Sequence, residues 1–116
     1  MSTIKVTTIQ NLAGVEVYTA KAWVNFNGTG TVAIRASGNV SSITDNGTGN
    51  YTLNFTTAMP DVNYCPVGIS DVQLNVTNNP RTIQFIAFNT GSLQISTVES
   101  GGSAEDSAYV MLAIHR

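Results

Sequence analysis

Apolar and polar residues alternate along most of this chain with a period of two, in short runs separated by turn residues. That period puts every second side chain on the same face of a strand. The clearest unit lies mid-chain. Residues 40–44 lead into Asp45-Asn46-Gly47-Thr48-Gly49, and Tyr51, Leu53 and Phe55 lead out with Thr52 and Asn54 between them. The glycines and the Asn-Gly pair accept the positive φ of hairpin turns, so a hairpin with one buried and one wet face is predicted. Upstream, residues 15–26 are strongly β-forming through Val15, Val17, Tyr18, Trp23, Val24 and Phe26. Asn27-Gly28-Thr29-Gly30 is a turn, Val32 and Ile34 mark a half-buried strand, and Ser37-Gly38-Asn39 turns again. Downstream, residues 58–61 form a loop. Residues 63–70 form a short strand whose Pro66 cannot donate to a ladder, which implies an edge or a bulge.

Residues 71–81 are mixed and Asn-rich, with a firm break at Asn78-Asn79-Pro80. Residues 83–88 and 109–114 are apolar on both faces. Between them Asn89-Thr90-Gly91 turns into Leu93, Ile95 and Val98, and residues 99–107 read as an exposed loop with three acids and three serines. At the start, Ile4, Val6 and Ile9 sit in a Thr-rich extended segment set off by Asn11, Ala13 and Gly14. Turn signals about every ten residues, with no sustained helical period, argue for a sandwich or barrel. The expected fold is all-β, an antiparallel β-sandwich. Strands apolar on both faces belong at its centre, or show one face to a partner chain.

Composition narrows the function classes. Charged residues make up 10% of the chain and hydrophobic ones 42%, against about 25% charged in an average domain. Thr, Asn and Ser carry the polar share, about a third of the 116 residues. The net charge of −2, with five scattered Lys and Arg, supplies no basic patch to displace counterions from phosphates, so nucleic acid is not an expected partner. No apolar run approaches the ~18 residues of a spanning helix, and no membrane insertion is expected. Residues 1–10 lack the apolar block of a secretory signal. The lone Cys65 has no internal disulfide partner, which fits a protein made in a reducing cytoplasm.

Chemistry-bearing motifs are sparse. A single histidine, His115, stands next to the C-terminal residue, so no Ser-His-Asp or Cys-His arrangement is assembled from it. No zinc, P-loop or dinucleotide fingerprint occurs. The seven acids are dispersed, and acids in turns are usually solvated. The expectation is therefore a protein that is not an enzyme, with no catalytic residue, no cofactor and no metal. Six Asn-x-Ser/Thr sequons begin at Asn27, Asn39, Asn46, Asn50, Asn54 and Asn75, a number that an Asn- and Thr-rich chain generates by composition. Trp23, the only tryptophan, reads as core or interface, with sugar stacking as the other use of an indole.

Three ordered runs carry a resemblance: Ala22-Trp23-Val24-Asn25-Phe26-Asn27-Gly28-Thr29, then Ile34-Arg35-Ala36-Ser37, then residues 39–49 through Tyr51-Thr52, Asn54-Phe55-Thr56 and Ala58-Met59-Pro60-Asp61. Together they resemble a module of bacteriophage and prophage tail-fibre proteins over residues 20–64. Residues 2–11 are also similar to the start of short phage fibre proteins. Cys65 and residues 71–80 depart from the pattern. The resemblance implies a virion tail component, made in the host cytoplasm and assembled as an intertwined homotrimer. Residues 1–17 would form an arm for trimerisation and docking on a tail or baseplate protein, and residues 18–116 a fibre head that contacts a host surface glycan or protein. Gln73, Asn75, Thr77, Asn78 and Asn79 are the expected receptor face, together with the loop at 99–107, because their amides and hydroxyls both donate and accept hydrogen bonds. Trp23, Phe85, Tyr109 and Met111 are the expected trimer interface. The alternative is a free-standing carbohydrate-binding β-sandwich of the lectin kind.

Overall fold

The computed structural model describes residues 19–72 and 81–116. The expected arm and the expected receptor residues 73–79 therefore lie outside the described residues. Within them the alternation becomes strands: β1 (Ala20–Asn27), β2 (Ala33–Gly38), β3 (Val40–Gly47), β4 (Asn50–Phe55), β5 (Cys65–Asp71), β6 (Arg81–Phe88), β7 (Ser92–Glu99) and β8 (Tyr109–His115). All pairings are antiparallel, and the sheet order is β2-β1-β8-β5-β6-β7-β4-β3. No helix occurs among the described residues. The all-β antiparallel expectation holds, but in place of a two-layer sandwich one continuous sheet of eight strands curls until it is nearly a barrel.

Curling brings the inward residues of opposite strands into one core. Val24 and Phe26 of β1, Leu53 of β4, Ile95 of β7, and Val110 and Ile114 of β8 are among its members. Fully burying a side chain of this size contributes about 1.5–3 kcal/mol. Phe26 meets Tyr51 edge to face with ring centroids 5.2 Å apart, and Phe55 meets Tyr64 in the same way at 5.7 Å. Such edge-to-face pairs suit the ring quadrupoles. They also join elements that are not sheet neighbours.

The two end strands come together at a corner one residue wide. Asn39 alone separates β2 from β3, and its φ of 58° lies in the left-handed region. Asparagine tolerates that conformation better than most residues. Here its side chain also fastens the corner. Nδ2 donates to the carbonyls of Lys21 and Thr57 at 3.1 and 3.0 Å, and Oδ1 accepts from the Thr57 amide at 2.6 Å.

β5 and β6 are the weak seam. Among the described residues only Ser70 and Arg81 pair between them, at the end where β5 stops and β6 starts. The rest of β5, including Pro66, pairs on one side only, with β8. That is the edge position the proline implied. At the far end of the seam the Tyr64 hydroxyl closes the gap, lying 2.9 Å from the Asn89 carbonyl oxygen and 3.0 Å from that of Ser92.

Candidate receptor end and assembly face

Strand register sorts the connections onto two opposite ends of the sheet. Asp71 pairs with Tyr109, Ser70 with Arg81, and Arg81 with Glu99. The β5–β6 connection and the β7–β8 loop therefore spring from adjacent positions at one end. The turns after β1 and β3 join them there: the Gly28 amide donates to the Ser107 carbonyl at 2.8 Å, and the Gly49 amide to Asp106 Oδ1 at 2.8 Å. At the other end Ala20 pairs with His115, and Cys65 pairs with His115 from its other side. The Asn39 corner, the β4–β5 loop, the β6–β7 turn and Arg116 all lie at this second end. The β7–β8 loop thus shares one end with the point where β5 stops and β6 starts, while β1 starts and β8 stops at the opposite one.

The loop between β7 and β8 is built rather than loose. The Tyr51 hydroxyl lies 2.8 Å from the Gly28 carbonyl oxygen and 3.0 Å from Asp106 Oδ1. Burial pushes this phenol well above its ordinary range, and the neighbouring Asp106 carboxylate adds to the shift. Thr97 Oγ1 donates to the Glu105 carbonyl at 2.5 Å, and the Glu105 amide returns a bond to Thr97 O at 2.9 Å. The loop between β7 and β8 is held as a cap over the end of the core.

The outer surfaces of the two halves of the sheet differ in chemistry. On the β3-β4-β7 side they are a polar ladder. Asn54 Nδ2 donates to Ser42 Oγ and Thr44 Oγ1, Asn46 Nδ2 to Thr52 Oγ1 and Asn50 Oδ1, and Gln94 Nε2 to Asn50 Oδ1. The β1-β8-β5 side is apolar. Trp23, Ala113 and Val67 form one cross-strand row, and Asn25, Met111 and Ile69 the next. Trp23, Val67 and Ile69 are 44, 52 and 62% exposed. A shallow hollow of about 450 Å³ opens among Trp23, Asn25, Val67, Met111 and Ala113. The indole is pinned from below: a Cβ at Gly38, its partner across the β1–β2 pair, would collide with indole Nε1 and Cδ1. Glycine there lets Trp23 lie flat against the sheet with its far face open.

The four residues expected at an interface separate. Trp23 and Met111 share the apolar face. Tyr109 stands at its margin, where the Arg35 guanidinium covers the ring at 4.2 Å. Phe85 is on β6, opposite the buried Ile95, and touches Phe88 at the seam, so it points to the core side while remaining 39% exposed. Val67 and Ile69 were missed, because V-x-I alternation reads as a buried face. The signal lay in their neighbours: Pro66, Gly68 and Ser70 are small, and a Cβ at Gly68 would stand 2.8 Å from Leu112 Cγ. Only a strand with minimal inward side chains packs this closely, and that turns its large residues outward.

Cys65 is exposed and His115, paired across from it, is exposed as well. No group of three His, Cys, Asp or Glu side chains among the described residues is placed to hold a metal. No described helix is long and apolar enough to cross a membrane. Comparison with known proteins returns no match: no family model, no curated protein and no solved structure.

Proposed function

We propose that this chain is a structural component of a bacteriophage tail: a short fibre, assembled as a homotrimer, that docks on the tail or baseplate and contacts the host surface. It is a binding and structural part rather than an enzyme. The observation that carries this reading is the division of the sheet into two ends. The first described residues and the C-terminus share one end, which suits attachment through residues 1–17. The loop at 100–108 lies at the other, beside the point where β5 stops and β6 starts, which suits contact with a surface glycan or protein. The runs that resemble tail-fibre modules fall on β1 to β4 and the loop after β4, the fixed scaffold, while residues 71–80 depart from the pattern, as a part that sets specificity would. A trimer presenting three such ends to a host surface multiplies a weak contact into avidity. Low charge suits a protein outside the cell, since few of its contacts depend on ion pairs that salt would screen.

A second reading, the free-standing carbohydrate-binding module, is favoured by the open face of Trp23, an aromatic platform of the kind that stacks on sugars. The test is replacement of Val76, Thr77, Asn78 and Asn79 by Gly and Ser in the assembled virus. Adsorption to the host is expected to fall while assembly and thermal stability stay within error of the parent. Unchanged adsorption would remove residues 73–79 from the receptor face.

A further inference from the structure

We infer that the free edge of β5 receives an added strand, residues 3–9 of a neighbouring copy, and that this exchange of segments joins the chains. The inference rests on the self-assembly reading above and adds the surface through which assembly occurs. The seam supplies the acceptor. Among the described residues, 65–69 pair with β8 alone and 82–88 with β7 alone, and no turn or loop bond reaches 65–69 from the seam side. Side chains lean across the gap, Ile83 towards Gly68 and Tyr64 towards Asn89 and Ser92, but the backbone of β5 stays unpaired there. Such an edge offers a row of donors and acceptors to another strand. Its surroundings are apolar. Tyr64, Phe88 and Phe85 line the seam with successive ring centroids 5.2 and 5.9 Å apart, and Phe85 and Phe88 remain 39 and 37% exposed. A strand laid along β5 pairs its backbone and covers these rings.

Reach and pattern name the donor. Ala20 pairs with His115, and His115 with Cys65. β1 therefore starts at the end of the seam opposite the Ser70–Arg81 bridge, with only β8 between it and β5, a distance of about 10 Å. Residues 10–18 can span up to about 30 Å. Before them in the sequence, and outside the described residues, stands Thr3-Ile4-Lys5-Val6-Thr7-Thr8-Ile9, a β-branched run of strand-forming composition. Entering from that end, it meets β5 antiparallel, the sense of every other pairing in the sheet. Within one chain the step from β1 to β5 crosses the end of β8, where Arg116 is tied to Asp61 of the β4–β5 loop. The edge of an adjacent chain is met without that crossing. One edge and one segment per chain make a head-to-tail contact, which closes as a ring and so accommodates three copies.

Cys65 is exposed on this edge and is the only cysteine in the chain, so it serves as a probe. Thr3→Cys, Lys5→Cys, Thr7→Cys and Ile9→Cys variants of the full chain are oxidised with copper phenanthroline and run on non-reducing gels, beside light scattering after size exclusion. In a strand these four positions share one face, and together they sample the registers that bring a cysteine beside Cys65. The expected result is a wild type of three chain masses, and a ladder of two and three chains, reversed by reductant, in one or two neighbouring variants and absent from the parent. Val6→Pro, which removes a donor from the added strand, is expected to scatter as one chain and keep its β circular dichroism. If that variant misfolds, the cross-links still decide. A disulfide closed within one chain would give the edge to the chain's own segment and overturn the exchange. No cross-link in any variant of an assembled protein, or a folded Val6→Pro that stays assembled, would overturn this edge while leaving self-assembly intact. A wild type that is a single chain at every concentration would overturn both.

Discussion

Tyr51 shows how one side chain can hold a distant loop. Its ring is in the core against Phe26, and its hydroxyl reaches the Gly28 carbonyl and the Asp106 carboxylate of the β7–β8 loop. Tyr51→Phe keeps the ring and removes the hydroxyl, which leaves these acceptors short of a donor. The expected cost is about 1–3 kcal/mol in chemical denaturation, with faster amide exchange in residues 100–108. The pH dependence has a definite sign. The folded state holds the phenol neutral above its ordinary range, whereas the unfolded chain ionises it near pH 10. Its contribution is therefore complete below about pH 10 and declines as the pH rises beyond that. In Tyr51→Phe that part of the alkaline loss should be absent; an unchanged alkaline profile would show that another group governs it.

The strands were largely legible from alternation, and their relation to one another was not. The hairpin of β3 and β4 appears at the expected place, but its turn is Thr48-Gly49, with Asn46 and Gly47 drawn into β3; Tyr51, Leu53 and Phe55 are buried and Asn50, Thr52 and Asn54 bonded outward. The 83–88 and 109–114 segments are strands as expected. In β8 the alternation resolves into buried Val110, Leu112 and Ile114 facing away from Met111 and Ala113. β5 inverted the usual inference, because backbone approach to β8 and Leu112 outweighed the pull to bury Val67 and Ile69. The passage from β2 to β3 through a single Asn39 was also read only as a turn, since bonds to Lys21 and Thr57 are invisible until the fold brings them together.

Another feature that sequence could not supply is the ion pair from Arg116 to Asp61. It ties the residue after β8 to the loop before β5, with Nε 2.9 Å from Oδ1 and Nη2 2.5 Å from Oδ2. The Arg116 guanidinium holds the Asp61 carboxyl down at about 2, aided by the Asn63 amide. Because the folded value is depressed, the contribution is present above the unfolded value near pH 4 and is lost as the pH falls towards 2. An exposed pair of this kind stabilises modestly and is screened by salt. Asp61→Asn should therefore lower the melting temperature slightly at pH 7, with the gap to the parent narrowing as the pH falls from 4 towards 2. A gap that does not narrow over that range would place the effect elsewhere.

At the scale of the molecule, the sheet has a direction and a side. The direction separates the end where β1 starts and β8 stops from the end carrying the β7–β8 loop and the turns after β1 and β3. The side separates a hydrogen-bonded polar surface from an apolar one. Neither property belongs to any single strand. Both follow from the order β2-β1-β8-β5-β6-β7-β4-β3, which alternation does not encode, because period two fixes which face a residue takes and not which strand it takes it beside. Candidate residues chosen for their chemistry were therefore scattered: Trp23 and Met111 reached the apolar face, whereas Phe85 turned to the seam. The central claim is that the chain is a part of a virus tail. Electron microscopy of intact phage particles, labelled with an antibody against this chain, tests it most directly. The account predicts label at the tail, clustered where fibres emerge and absent from the head. Particles that carry no label, with the chain found only free in the lysate, would contradict it.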